Sequence, residues 1–191
     1  MRNSRRNTRL STRTGRKGPA VAEWFFNVCK AESIFNVELL DLAVINLPFL
    51  DEPKHPRLKE YTHEHTKRWS NIIDEADAIV IVTCEYNFGY PAPLKNALDY
   101  LYQEWNYKPV GFVSYGGIAG GTRAVQQLKQ VVTAQKMVPL TESINIPFFT
   151  KYIDQSGKFK PEDVHKRSAQ TFLKELTTWT EALAPMRKQP A

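Results

Sequence analysis

The fold is decided by residues 78–99, which read AIVIVTCEYNFGYPAPLKNALD. The apolar run at residues 78–82 is typical of a strand that is buried on both faces of a parallel sheet. Apolar residues then recur at steps of three and four between residues 94 and 105, which predicts an amphipathic helix. The loop between them leaves the carboxyl end of the strand, where open α/β sheets bind their ligands. We therefore look for function in this loop first.

Strand and helix patterns alternate on both sides of this stretch. Further strands are predicted at residues 37–42 and 110–115 and after residue 137, and further helices begin near residues 18, 59, 122 and 161. Alternating strands and helices form a parallel sheet that helices cover on both faces. Because 191 residues fit one such unit, the prediction is a single three-layer α/β/α domain.

Composition narrows the class of protein. No apolar run approaches the ~18 residues that cross a membrane, so we expect no membrane span. The two cysteines, Cys29 and Cys84, suggest no disulfide framework, which is typical of a reducing compartment and predicts a cytoplasmic protein. The net charge of +6 comes from residues 1–18, because removing their seven basic residues leaves 19 basic against 20 acidic residues. Since the body of the domain has no basic excess, we expect no nucleic-acid partner.

The first residues, 1–17, read MRNSRRNTRLSTRTGRK and contain no β-branched apolar residue. As written, they do not predict a buried strand. Three interpretations stay open: a disordered basic arm, a mitochondrial or plastid presequence, and a chain start that is incomplete or wrongly defined. The first interpretation divides the chain into an arm at residues 1–10, a folded domain at residues 11–184 and a tail at residues 185–191.

Three loops are candidates for binding. Residues 11–18, STRTGRKG, place hydroxyls and arginine ahead of a helix N-terminus, as in an anion pocket, although a polar cap beside a solvated arm explains them too. Residues 85–91 offer aromatic faces and one amide to a planar heterocycle, and equally suit an aromatic core loop. Residues 114–117, SYGG, let the backbone approach a ligand closely, but glycine-rich turns are common.

Other patterns in the sequence exclude several classes of protein and site. The sequence has no GxGxxG, GxxxxGK[ST] or GxSxG motif, which argues against dinucleotide-binding, P-loop and hydrolase assignments. His63 and His65 are two residues apart and on a helix would point to different faces, so we predict no metal site. Cys84 is either a redox thiol beside the loop or a small buried residue. No nucleophile and base form a recognisable pair, so no catalytic residue is nominated.

Residues 85–99, EYNFGYPAPLKNALD, strongly resemble the signature of the NADPH-dependent FMN reductase family, which is flavodoxin-like and includes quinone, azo-dye and chromate reductases. Residues 11–16 are similar to the family's phosphate loop, and residues 114–117 to its third flavin loop. The resemblance covers roughly residues 11–183. It implies a flavodoxin-like three-layer α/β/α fold with a parallel sheet in the order 2-1-3-4-5.

The resemblance also implies the cofactor-binding residues and an oligomer. By position, the FMN phosphate is expected to contact Ser11, Thr12, Arg13 and Arg16. The isoalloxazine ring is expected to lie between two sets of residues: Glu85, Tyr86, Asn87 and Phe88, and Ser114, Tyr115, Gly116 and Gly117. Family members are usually dimers or tetramers, which makes the proline-rich loop and the helix at residues 94–105 candidate interface surfaces.

Two positions depart from the family's pattern. The family's first strand is an apolar run that ends in glycine, and here Asn7-Thr8-Arg9-Leu10 stands in its place. The first strand is therefore degenerate in sequence, although in a flavodoxin-like order it is central. Cys84 stands where the family commonly has proline, which changes the rigidity of the turn.

The main hypothesis is an NAD(P)H-dependent oxidoreductase that contains FMN. It would pass hydride from NADPH or NADH to the flavin and then reduce a small acceptor such as a quinone. An alternative is a family-like protein that has lost tight flavin binding and serves as a partner-binding scaffold. A third hypothesis is that the basic arm recruits the domain to nucleic acid or to acidic membranes.

Overall fold

The computed structural model describes residues 4–9, 13–32 and 36–187, with the backbone alone for residues 4–9. Within these residues the strands are β1 Ser4–Arg9, β2 Asn36–Asp41, β3 Ala78–Cys84, β4 Pro109–Tyr115 and β5 Val138–Ile146. The helices are α1 Gly18–Ala31, α2 Leu42–Ile45, α3 Glu64–Asp74, α4 Ala92–Asp99, α5 Thr122–Ala134 and α6 Asp163–Arg187. Short 3₁₀ turns lie at Pro56–Leu58, Gln103–Trp105 and Phe149–Tyr152. None of the described helices has the length and apolar character to span a bilayer.

The described strands form one parallel sheet in the order β2-β1-β3-β4-β5. This order confirms the flavodoxin-like prediction. Every residue of β3 and β4 is buried, as the apolar run in β3 predicts. Because the strands are parallel, the loops that follow them all leave the same edge of the sheet, which places the three candidate loops side by side.

Helices cover both faces of the sheet and complete the three layers. On one face, α1 and α6 pack against Val80 and Val82 of β3. On the other face, α3, α4 and α5 pack against Ile79 and Ile81 of the same strand. Because successive side chains of a strand point to opposite faces, one apolar run contributes to both hydrophobic cores.

Strand β1 lies where the sequence predicts a disordered arm. It pairs with β2 on one side and β3 on the other, so that Asn7 stands opposite both Leu39 and Val80. Without β1, the facing backbone groups of β2 and β3 would lack partners, and unpaired buried backbone groups are costly. Backbone pairing needs no particular side chains, which is why the pattern of residues does not reveal this strand. The expectation of a disordered arm therefore does not hold for residues 4–9.

Helix α6 extends beyond the end that the sequence predicts. It runs to Arg187, although the tail is expected from residue 185. The guanidinium of Arg187 donates to the carbonyl oxygen of Tyr107 at 3.2 Å and to the carboxylate of Asp77 at 3.3 Å. These contacts anchor the last turn of α6 at the amino edge of the sheet.

Candidate functional site

A cleft of about 420 Å³ lies at the carboxyl edge of the sheet, beyond the ends of β3, β4 and β5. Its volume is within the range of small-molecule sites in proteins. Its lining residues are Arg13, Gly15, Arg16, Lys17, Cys84, Glu85, Tyr86, Tyr115, Gly116, Gly117, Phe148, Phe149 and Thr150. All three loops that the sequence singles out therefore meet at one cleft.

The cleft contains most of the predicted site residues. Those that line it are Arg13, Arg16, Glu85, Tyr86, Tyr115, Gly116 and Gly117. Asn87, Phe88 and Ser114 lie nearby but are not part of its lining. Ser11 and Thr12 lie outside the described residues.

The loop before α1 presents backbone donors. Gly15 has a φ of 71°, and the N–H of Arg16 donates to the carbonyl oxygen of Arg13 at 3.2 Å, which closes a tight turn. Helix α1 then begins at Gly18, with Lys17 at the N-cap position. Among the described side chains, none caps this helix, and its first turn holds no acid. Pro19 has no N–H and the N–H of Ala20 donates to the carbonyl oxygen of Lys17 at 3.2 Å, so what the start of α1 offers an anion is chiefly the positive end of its dipole.

Arg16, which lines the cleft, already has an acidic partner. Its guanidinium makes two hydrogen bonds to the carboxylate of Asp41, at 2.7 and 2.6 Å. The pKa of Arg16 is raised, chiefly by these hydrogen bonds. This bidentate ion pair joins the start of α1 to the end of β2. Arg13 and Lys17, which are exposed at the same end of the cleft, are thus better suited than Arg16 to hold an added anion.

The loop after β3 forms a two-residue hairpin. The N–H groups of Tyr86 and Gly89 each donate to the other's carbonyl oxygen at 2.9 Å. Between them, Asn87 and Phe88 have φ values of 48° and 70°. Two successive left-handed residues are the mark of a type I′ turn, and this conformation is costly for a bulky residue such as phenylalanine. The turn explains why Asn87 and Phe88 sit at the tip of the loop while Tyr86 lines the cleft.

Arg123, in the first turn of α5, holds this loop from the side. Its Nε donates to the carboxylate of Glu85 at 2.6 Å, and its backbone N–H donates to the same carboxylate at 3.2 Å. Its guanidinium also lies over the Phe88 ring, 3.8 Å from the ring centre. The Glu85 side chain is only 7% exposed and that of Arg123 is 43% exposed, so the ion pair covers the carboxylate while the guanidinium reaches the surface.

The loop after β4 packs against the side chain of Ser114. Ser114 is fully buried, and its hydroxyl lies 2.7 Å from the carbonyl oxygen of Gly120 and 2.8 Å from the amide oxygen of Asn145. Gly121 has a φ of 84°, and a Cβ there would lie 2.8 Å from the Cβ of Ser114. Ser114 therefore supports the glycine loop instead of lining the cleft as predicted.

Tyr115 closes the floor of the cleft. Its hydroxyl oxygen would lie 2.1 Å from a Cβ at Gly18, so the first residue of α1 must be glycine for the ring to fit. The ring also packs on Phe149, with 4.8 Å between the ring centres. Burial raises the pKa of the Tyr115 phenol well above its usual value, so the side chain stays neutral. Beside it, Cys84 is buried and lines the cleft.

A fourth loop, residues 147–150, borders the cleft and is absent from the sequence prediction. The N–H of Phe148 donates to the carbonyl oxygen of Gly117 at 3.0 Å, and the N–H of Phe149 to that of Gly116 at 3.3 Å. These bonds join the loop after β5 to the loop after β4. The sequence could have predicted this loop from its position, since a loop that follows a parallel strand reaches the same edge of the sheet as the other three loops.

The histidine pair differs from its prediction. His63 is the N-cap of α3 and lies outside the helix, so its ring stacks on that of His65, with 5.2 Å between the ring centres. Both rings approach Asp51, His65 through Nε2 at 3.0 Å from the carboxylate. The prediction that the two rings point to different faces is therefore wrong. The described residues nevertheless contain no group of three side chains arranged to hold a metal ion.

Comparisons with known proteins agree with this geometry. The sequence model of a family described as NADPH-dependent FMN reductase matches residues 11–151 of the chain. An NAD(P)H-dependent FMN reductase of Schizosaccharomyces pombe is 46% identical over 141 residues, which cover 72% of this chain and 70% of that protein. A 2-hydroxy-1,4-benzoquinone reductase of a Burkholderia species is 31% identical over 156 residues, which cover 78% of this chain and 81% of that protein.

Among solved structures, the flavoenzyme NAD(P)H:(acceptor) oxidoreductase FerB of Paracoccus denitrificans is similar to this chain with a TM-score of 0.72. The match covers 94% of this chain and 98% of FerB, at 22% sequence identity. At this level of identity the likeness shows a shared fold.

Proposed function

The chain belongs to the NADPH-dependent FMN reductase family, and on that premise we propose that the cleft at the carboxyl edge of its sheet holds FMN. Membership makes the protein an NAD(P)H-dependent flavin oxidoreductase. In the proposed arrangement, the FMN phosphate lies at the N-terminus of α1. The isoalloxazine ring lies between residues 85–86 and residues 116–117.

The loop before α1 carries the donors that a phosphate requires. Arg13 and Lys17 supply positive charge, and the turn at Gly15 places both residues directly before the start of α1. A helix N-terminus that no described side chain caps is a ready anion site. Phosphate binding here would complete the hydrogen bonds that the helix itself cannot make.

The opposite part of the cleft suits a flat ring. A Cβ built on Gly117 meets nothing within 4 Å, so the missing side chain leaves open space at the cleft surface. Gly116 lies beside it, and Tyr86 faces the cleft from the loop after β3. Glycine lets a ring edge approach the backbone, and a tyrosine ring provides an apolar face. The residues present therefore fit FMN at both of its ends.

FMN, when bound, supplies the redox chemistry, since it accepts hydride from a nicotinamide and passes two electrons to an acceptor. The residues of this chain bind and orient. Tyr115 remains a neutral phenol in the cleft floor, and the loop at residues 147–150 borders the cleft on one side. In this proposal the protein supplies no acid, base or nucleophile.

We also propose that the acceptor is a quinone. Tyr86 and Phe148 are 40% and 46% exposed, and both border the cleft. Exposed aromatic faces at a cleft suit a flat apolar ring that enters from solvent. The similarity to a 2-hydroxy-1,4-benzoquinone reductase supports the same acceptor class.

A homo-oligomer and a cytoplasmic location complete the proposal. Val44, Phe49 and Leu50 form an exposed apolar surface beside α4, and Phe49 is 87% exposed. The loop that carries Phe49 and Leu50 is held in place, because the amide of Asn96 donates to the carbonyl oxygen of Pro48 at 2.6 Å and accepts from the N–H of Leu50 at 3.0 Å. A rigid apolar patch of this kind is typical of an interface. Light scattering of Phe49→Asp should show dissociation if this surface joins two copies.

The observation that carries the proposal is the meeting, in one cleft, of a helix N-terminus that no described side chain caps and an open glycine surface. Equilibrium dialysis with FMN tests it directly. We expect submicromolar binding, and oxidation of NADPH or NADH once FMN and a quinone are added. An FMN dissociation constant above about 100 μM, equal to only about 5 kcal/mol of binding free energy, would favour the partner-binding scaffold instead.

A further inference from the structure

Arg123 makes several contacts that have no part in the proposed binding of FMN. It belongs to α5, yet its side chain and backbone both bind Glu85 in the loop after β3. One terminal guanidinium nitrogen, Nη2, also forms an ion pair with the same carboxylate. Arg123 thus joins helix α5 to the loop after β3.

Arg123 neutralises the charge of the Glu85 carboxylate. Glu85 lines the cleft, and its side chain is only 7% exposed. Among the described residues, Arg123 is the cation that forms an ion pair with Glu85. A carboxylate that is shielded from water and lacks a cation would place an uncompensated negative charge at the cleft wall.

Arg123 also braces the strained turn. Its guanidinium lies 3.8 Å from the centre of the Phe88 ring, and Phe88 has the left-handed φ of 70°. Gln127, one turn later in α5, donates its amide to the carbonyl oxygen of Phe88 at 3.2 Å. A cation over the face of an aromatic ring is attracted by the ring's electrons, which stabilises this contact. Helix α5 therefore holds both the charge and the backbone of this loop in place.

We propose that Arg123 is a positioning residue that sets the reduction potential of FMN in the cleft by neutralising Glu85. The inference rests on the proposed function, because it concerns the charge beside the proposed cofactor position. Hydride uptake adds two electrons and one proton to oxidised FMN, so the cofactor gains one negative charge. Paired with Arg123, Glu85 opposes this gain little, whereas an unpaired Glu85 carboxylate opposes it strongly.

The test compares the midpoint potential of bound FMN in four holoproteins, each titrated spectrophotometrically against a dye of known potential. In Arg123→Gln the bare Glu85 should weaken binding of reduced FMN relative to oxidised FMN by about tenfold, a fall of ~30 mV for a two-electron couple. Glu85→Gln leaves the cation unpaired and should raise the potential. The double variant should return to the wild-type value, because neither charge remains.

Arg187→Gln is the matched control. It removes another arginine–carboxylate ion pair, with Asp77, at the opposite edge of the sheet. Both arginine variants should lose some stability to urea, but only Arg123→Gln should shift the potential. This difference separates an electrostatic effect on the cofactor from a general weakening of the fold.

Each outcome decides the inference. Opposite shifts in the two single variants with recovery in the double variant support it, and unchanged potentials or shifts of the same sign overturn it. If Arg123→Gln does not fold, Glu85→Gln alone decides, because a potential that does not rise refutes the role of the pair. Failure of the wild-type chain to bind FMN is a separate result, which refutes the proposed function itself.

Discussion

The two edges of the sheet each carry a cleft, and the larger one is not the candidate site. The cleft at the amino edge has a volume of about 530 Å³, against about 420 Å³ at the carboxyl edge. Its polar groups are bonded to one another: Tyr61 and Ser70 donate to the buried carboxylate of Glu104, at 3.0 and 2.5 Å. The ammonium of Lys108 donates to carbonyl oxygens at the end of α3.

The carboxyl edge is organised in the opposite way. There α1 starts without a described side chain to cap it, and the space beside Gly117 is open. The difference teaches that volume and charge alone do not identify a binding site. Arg16 and Glu85 have partners at the carboxyl edge too, so what separates the two clefts is the start of α1 and the open space beside Gly117. Substitutions at the amino edge should therefore cost stability, and those at the carboxyl edge should cost cofactor affinity.

The largest effect is expected for Glu104→Ala at the amino edge. The substitution removes the acceptor of Tyr61 and Ser70 from a buried site that Lys59 also approaches, at 3.8 Å. Because each buried donor left without an acceptor costs about 1–3 kcal/mol, urea denaturation should show a fall of about 2–4 kcal/mol in the free energy of unfolding. FMN affinity, measured without urea, should stay within about twofold of wild type. A loss of affinity with no loss of stability would reverse the roles assigned to the two edges.

Gly117→Val should produce the opposite pair of results. The open space around Gly117 accepts a larger side chain without a clash, so the melting temperature should change by less than about 2 °C. The new side chain occupies the proposed position of the ring, so FMN affinity should fall about 100-fold, or ~2.7 kcal/mol. Ile118→Val, at the exposed neighbouring position, is the control and should change neither quantity. Full FMN affinity in Gly117→Val would place the ring elsewhere.

The double variant Arg13→Ala/Lys17→Ala tests the phosphate end of the cleft. Charge-assisted hydrogen bonds contribute ~1.5–3 kcal/mol each at best, and both side chains are exposed, so we expect FMN affinity to fall about tenfold. Riboflavin, which lacks the phosphate, should bind wild type and variant equally. An equal loss for both ligands would mean that these residues do not contact the phosphate.

The last expected effect is a pH dependence at the amino edge. Burial lowers the pKa of Lys108 to about 7, against ~10.4 for an exposed lysine. Between these values the unfolded chain binds more protons at this group than the folded protein, so its contribution to the free energy of unfolding rises with pH. The difference between wild type and Lys108→Met should therefore grow in favour of wild type between about pH 7 and pH 9. A constant difference would show that Lys108 stays charged in the fold.

Much of the fold follows from the sequence because parallel strands buried on both faces read as apolar runs. Residues 78–82 and 110–115 carry that signal, and the helices between them carry the period of a helix. Strand β1 has no such signal, since its place depends on backbone pairing with two neighbours. The position of His63 was likewise hidden, because α3 begins at Glu64 rather than near residue 59, which leaves His63 outside the helix.

The site was predictable as far as loops can be placed at strand ends. Tyr86 and Gly116 line the cleft as expected. Phe88 does not, because a left-handed pair reverses the chain there, and a pair without glycine gives no sequence signal of that turn. Arg123 was missed for a different reason: it lies in a helix, and only the packing of α5 beside the loop brings it to Glu85.

The bonds that attach the loop at residues 147–150 come from the backbone, and this has a consequence for how the protein could diversify. Because the N–H of Phe148 reaches Gly117 whatever side chain stands at position 148, that side chain can change without loosening the loop. Its φ of 48° favours asparagine, aspartate or glycine as replacements. Position 148 is therefore the natural starting point for a library that alters acceptor preference while the framework of the cleft is inherited unchanged.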